Sequence, residues 1–136
     1  MPVVGVTESI LALHCPRMEE PLVRALVVDD DAALRMLCRV NLEFGGFAVR
    51  EAATVAEAET QIAAERPDVV LLDVHLGGER TDALLARIRA SGIPVALVTG
   101  SVDLREYEDS ADAVLGKPFM PQELVETALR LARVAP

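Results

Sequence analysis

The 136 residues suffice for one ordinary domain, and 51% of them are apolar, which excludes a disordered chain. A net charge of −9 repels phosphate backbones and anionic membranes, and with only 3% aromatics for base stacking it argues against a nucleic-acid surface. No run approaches the ~18 apolar residues of a membrane span, and two cysteines, Cys15 and Cys38, are too few for a disulfide framework, so a reducing, cytoplasmic setting is expected.

Residues 1–21 stand apart as an N-terminal extension, and the domain is expected over 22–136. The extension has no basic start, and Glu8, Ser9 and His14 interrupt its apolar part, so it does not read as a signal peptide. "TESILAL" could form a short helix, and Met18, just before the domain, is a second candidate start.

Five strands then alternate with helices. "ALVV" (25–28) is a continuous aliphatic run, as in a strand covered on both faces. "AALRMLCRVNLEF" places Leu34, Leu37, Cys38 and Leu42 at helical spacing and ends at Gly45 and Gly46. "FAVREA" is the second strand, and "TVAEAETQIAAE", capped by Thr54 and stopped by Pro67, the second helix. "VVLLD" is the clearest strand. "TDALLARIRA" is helical, with Leu84, Leu85 and Ile88 on one face; "PVALVTG" and "AVLGKP" are the last strands. "SVDLREYEDSAD" between those two is short and acidic, so the fourth helix is expected to be shortened. "PQELVETALRLARV" closes the chain as a helix begun by Pro121. This alternation specifies an α/β fold, a parallel sheet with helices on both faces.

Sites in such sheets form beyond the carboxyl ends of the strands. There stand Asp29, Asp30 and Asp31 after the first strand, Asp73 after the third, Thr99 with Gly100 after the fourth, and Lys117 with Pro118 after the fifth. Taken singly, each has a plain explanation: Asp31 as a helix cap, Asp73 or Thr99 as a turn residue, Lys117 as a solvated cation. Their joint placement on one edge does not. Adjacent carboxylates that repel one another tolerate a divalent cation between them. Mg²⁺ (or Mn²⁺) prefers such oxygen ligands and keeps waters that phosphoryl oxygens can replace. A lysine and a hydroxyl then complete what phosphoryl transfer asks of a protein, with Asp73 as nucleophile.

Through "LVVDDDAALR", "PDVVLLDVHL", "IPVALVTGS" and "KPF", residues 24–134 resemble the receiver domain of bacterial two-component response regulators. The resemblance implies a flavodoxin-like (βα)5 fold of strand order 2-1-3-4-5 and a signalling phosphoprotein rather than an enzyme acting on other substrates. Asp73 would accept a phosphoryl group from a histidine kinase or phosphotransfer protein. Asp30, Asp73 and the backbone carbonyl of His75 would hold the metal, with Asp29 acting through water. Thr99 and Lys117 would bind the phosphoryl oxygens and report phosphorylation. The Lys117–Pro118 bond would be cis, the His75 side chain would tune the lifetime of the aspartyl phosphate, and Gly100 would leave access open. Partners would be the phosphodonor, a downstream protein target and a second copy of the chain as a homodimer. No DNA-binding output domain is expected, because the chain ends after its last helix.

Three departures accompany the resemblance. Gly77 stands where a proline is common, implying a looser loop after Asp73; Val114 replaces the usual aromatic three residues before the lysine; and the segments from Leu84 to Thr99 and from Thr99 to Lys117 are both shorter than is common. Two other readings are carried: a degenerate receiver that binds partners without phosphorylation, and a haloacid-dehalogenase-like phosphohydrolase. The second would use Asp29 and Asp31 as a D-x-D pair, although Ala33 occupies its T/V position.

Overall fold

The computed structural model describes residues 23–100, 107 and 109–134. The extension over 1–21 lies outside them, as do residues 101–106 and 108 of the segment where the shortened fourth helix is expected. In chain order the elements are β1 (Val23–Val28), α1 (Ala32–Phe44), β2 (Phe47–Ala52), α2 (Val55–Ala64), β3 (Val69–Asp73), β4 (His75–Leu76), β5 (Glu79–Arg80), α3 (Asp82–Ala90), β6 (Val95–Thr99), β7 (Ala113–Gly116) and α4 (Pro121–Val134). Five of the strands form one parallel sheet in the order β2-β1-β3-β6-β7, the topology expected from the sequence.

Alternation within the aliphatic strands divides the core in two. Leu26, Val28, Val70, Leu72, Val95 and Leu97 point to one face and meet Ala58 of α2 and Leu84, Leu85 and Ile88 of α3. Their neighbours Ala25, Val27, Val69, Leu71, Ala96 and Val98 point to the other and meet Cys38 and Leu42 of α1 and Leu124, Ala128 and Leu131 of α4. β3 and β6 are therefore buried along their whole length, which is why they read as unbroken apolar runs. No helix among the described residues is long and apolar enough to cross a membrane.

Register aligns the strand ends. Val28 pairs with Leu72, Asp73 with Val98, and Thr99 with Gly116. The residues that follow β1, close β3 and β6, and follow β7 consequently emerge at one edge.

The loop after Asp73 corrects one expectation. It is not loose: β4 and β5 pair antiparallel around the two-residue turn Gly77-Gly78, with φ of 55° and 85°. Two consecutive positive φ values are what a tight hairpin turn requires, and only glycine adopts them without steric cost. Gly77, standing where a proline is common, is therefore the first residue of a tight hairpin turn.

Candidate functional site

The site starts from three successive aspartates with three different tasks. Asp31 caps α1, accepting hydrogen bonds from Ala33 N (3.0 Å) and Leu34 N (3.2 Å). Asp29 is 4% exposed; its Oδ1 accepts from Asp31 N at 2.9 Å and its Oδ2 from Lys117 Nζ at 3.1 Å. Asp30 is exposed, and its Oδ2 accepts from Gly77 N at 2.9 Å, tying the hairpin to the end of β1. The loop backbone is further held by Arg35, which donates to the Asp29 carbonyl at 2.7 Å and pairs with Glu51.

Asp73 closes β3 and is buried. Its Oδ1 accepts from His75 N at 3.3 Å and its Oδ2 from Lys117 Nζ at 3.2 Å, so the ammonium bridges Asp29 and Asp73. Ligand oxygens of Asp29, Asp30 and Asp73 all lie within 4.8 Å of one another. Thr99 is buried at the end of β6, and its carbonyl accepts from Lys117 N at 2.7 Å. The Lys117–Pro118 peptide is cis. Gly100 is exposed, with open space where a side chain would begin, and His75 is exposed on the hairpin. Val114 is half-buried against a cluster that includes the buried Tyr107.

Electrostatics follow from this packing. Burial raises the Asp29 carboxyl above its ordinary range, outweighing the Asp31 N–H and Lys117, and the Asp73 charge raises it further. Burial works to lower the Lys117 ammonium, but the hydrogen bonds and charges of Asp29 and Asp73 outweigh it and hold the group above its ordinary value. One cation is thus shared by two carboxylates. The acidic edge keeps an excess of hard oxygen donors, the donor set that suits Mg²⁺ or Mn²⁺.

The structure brings together Asp29, Asp30, Asp73, His75 and Lys117, with Thr99 at the adjoining strand end. It does not bring Asp29 together with Asp31 in the way the phosphohydrolase reading requires, because the Asp31 carboxylate is turned to its helix. Two residues carry structural tasks that sequence reasoning did not assign. Arg35 fixes the first loop. Thr81 is 2% exposed and sends its hydroxyl to the carbonyls of Asp73 (2.8 Å) and Val74 (3.0 Å). The signal for Thr81 is ambiguous: a threonine before a helical run reads as a cap.

Comparison with known proteins gives the family. The family model described as the response regulator receiver domain matches residues 25–129. The chain is similar to the DNA-binding response regulator MtrA of Mycolicibacterium paratuberculosis, 37% identical over 107 residues, which are 75% of this chain and 48% of MtrA. It is similar to the response regulator MprA of Mycolicibacterium vanbaalenii, 38% identical over 119 residues, 82% of this chain and 51% of MprA. The chain thus spans about half the length of these relatives. Among solved structures, a CheY-like response regulator receiver domain protein from Methanospirillum hungatei JF-1 superimposes with a TM-score of 0.76 at 31% identity, covering 83% of this chain and 95% of that one. The fold, the acidic edge and these matches together place the chain in the response regulator receiver domain family.

Proposed function

We propose that the domain, over 22–136, is a phosphoacceptor in a phosphorelay, with Asp73 as the residue phosphorylated. The observation that carries this is the Lys117 ammonium lying 3.1 Å from Asp29 and 3.2 Å from Asp73, with Asp30 completing a cluster of three carboxylates. An Asp73 carboxylate oxygen attacks the phosphorus of a phosphohistidine on a histidine kinase or phosphotransfer protein. The O–P bond forms, the P–N bond breaks, and the imidazole leaves with its electron pair. Asp30, Asp73 and the His75 carbonyl would hold Mg²⁺ or Mn²⁺, with Asp29 acting through water; when bound, the metal neutralises charge on the transferring phosphoryl oxygens. Lys117 is already poised at the acceptor and moves from carboxylate to phosphoryl oxygen, joined by Thr99. His75 and Gly100 border the entry and set how readily water reaches the product. The altered set of contacts at Thr99 and Lys117 biases a two-state equilibrium and so changes a surface read by a downstream protein or a second copy of the chain.

The test is intact-protein mass after incubation with Mg²⁺ and a small-molecule phosphodonor. The wild type gains a Mg²⁺-dependent phosphoryl adduct and Asp73→Asn gains none. An adduct that persists in Asp73→Asn moves the nucleophile elsewhere; a folded wild type that gains none even from a kinase returns the degenerate receiver.

A further inference from the structure

Thr81 sits at the N-terminus of α3, where a threonine ordinarily turns its side chain to the helix and accepts a bond from an exposed N–H. Here no such bond forms. The helix gives up its cap, and the hydroxyl, buried with the rest of the residue at 2% exposure, points back at the acceptor strand instead. It lies 2.8 Å from the carbonyl of Asp73 and 3.0 Å from that of Val74, and the Thr81 N–H also donates to the Val74 carbonyl at 3.0 Å. The peptide plane between Val74 and His75 is thereby held at both ends. Its oxygen accepts from Thr81, and its N–H donates to Oδ1 of Asp73 at 3.3 Å. The tight hairpin leads from His75 to Thr81, so the turn at Gly77-Gly78 brings the threonine back beside the residue it holds.

We propose that Thr81 is a positioning residue for the acceptor: its hydroxyl fixes the Val74–His75 peptide, and through it the Asp73 carboxylate and the His75 carbonyl. This rests on the reading of Asp73 as phosphoacceptor. Removing the hydroxyl leaves the Thr81 N–H on the Val74 carbonyl but takes away the contacts to the carbonyls of Asp73 and Val74, so the two peptides that follow Asp73 are held less firmly. The His75 N–H is then held less firmly to Asp73 Oδ1, and the next peptide, which carries the His75 carbonyl, is held less firmly in the direction in which it would meet a metal. Groups that orient ligands from behind in this way commonly affect affinity or rate by about 10–100-fold.

The experiment compares wild type, Thr81→Val, which keeps the shape and loses the hydroxyl, and Thr81→Ser, which keeps the hydroxyl. Three quantities are read at fixed temperature: Mg²⁺ affinity by calorimetric titration, the phosphorylation rate constant at saturating Mg²⁺ and phosphodonor, and hydrogen exchange at the His75 amide by NMR. Thr81→Val is expected to weaken Mg²⁺ binding and slow phosphorylation by about tenfold each, and to speed His75 exchange more than that of amides in β3 and β6. Thr81→Ser restores all three to within about twofold, a rescue that a purely space-filling role would not give. Thr81→Ala replaces the valine variant if the latter does not unfold cooperatively. Wild-type rate, affinity and His75 exchange retained in a folded, hydroxyl-free variant overturn the inference while leaving Asp73 as acceptor untouched. A wild type that takes no phosphoryl group overturns the acceptor reading instead, and the His75 exchange then still decides whether Thr81 holds the peptide.

Discussion

The loops that follow β1 and β3 both deliver carboxylates to one space, but they hold them by opposite means. After β1 the backbone is short, and order comes from charge: Asp29 is wedged between its own loop N–H and Lys117, and Arg35 grips the Asp29 carbonyl. After β3 there is a single carboxylate, and beside the same Lys117 ammonium it is held by neutral backbone and hydroxyl contacts: a glycine-turned hairpin, the His75 N–H, and Thr81. An electrostatic frame yields when a cation enters or leaves it. The neutral contacts around Asp73 offer no net charge for a cation to displace. The site therefore joins a carboxylate braced by neutral contacts to an acidic loop held by charge, and the two meet at Lys117.

That meeting point is where the largest effect is expected. Lys117→Ala removes the cation that serves both loops and, on the proposed reading, the phosphoryl partner. The phosphorylation rate constant with a small-molecule donor should fall on the order of 100-fold, the usual cost of deleting one charge-stabilising donor. In the absence of divalent metal, stability should drop by about 1–3 kcal/mol, because the buried carboxylates of Asp29 and Asp73 lose their shared partner. An Ala variant that phosphorylates at the wild-type rate would detach Lys117 from the chemistry and leave it a purely structural counter-charge.

A smaller and more discriminating effect separates two neighbours within the first loop. Asp30 is exposed and, on the proposed reading, a direct ligand; Asp29 is buried and, on that reading, acts through water. Calorimetric Mg²⁺ titration should show Asp30→Asn weakening affinity on the order of 100-fold and Asp29→Asn about 10-fold. Without metal the order of consequences reverses. Burial already disfavours the Asp29 charge and Asp73 repels it, so Asp29→Asn should raise stability in urea by about 1 kcal/mol, the scale on which relieving a functional-site conflict stabilises a fold. Asp30→Asn should leave metal-free stability nearly unchanged, since its exposed carboxylate carries little desolvation cost. Equal effects of the two substitutions on Mg²⁺ would erase the distinction between direct and water-mediated roles.

The two loops also differ in how legible they are in the sequence. Strands covered on both faces announce themselves as runs such as "VALVT", and the parallel alternation follows from them. Charge after an apolar strand is equally visible, so Asp29, Asp30, Asp73 and Lys117 stand out as a set from their positions along the chain alone. The hairpin does not. His75-Leu76 and Glu79-Arg80 are two-residue strands with no periodicity to read, and the paired glycines, compared with a family proline, suggest looseness where they build a tight turn. Thr81 is hidden by a competing principle: a threonine before a helical run satisfies the capping rule, and only the geometry shows the hydroxyl spent on the strand behind it. Local sequence reports what a residue can bond to; the turn that brings a second partner within reach decides which bond forms.

A last effect measures how far the charge of the first loop reaches into the core. Cys38 lies on α1, buried and free of any disulfide. Burial pushes its thiol up to about 11, and the Asp29 carboxylate adds to the shift while Lys117 opposes it. The sign follows from proton binding: between the ordinary thiol value of 9.0 and about 11 the folded chain keeps a proton that the unfolded chain has released. Stability should therefore be unaffected by this group below that window and fall as pH rises through it, by up to about 3 kcal/mol, each pH unit being worth about 1.4 kcal/mol. Urea unfolding at the two ends of the window, with Cys15→Ser as the common background, should show this loss in the protein that retains Cys38 and not in Cys38→Ala. Adding Asp29→Asn should shrink the loss, because one of the forces that holds the proton on sulfur is gone. If the loss is the same with and without Asp29, the thiol is held neutral by burial alone, and the charge of the first loop is confined to the edge where phosphoryl transfer is proposed.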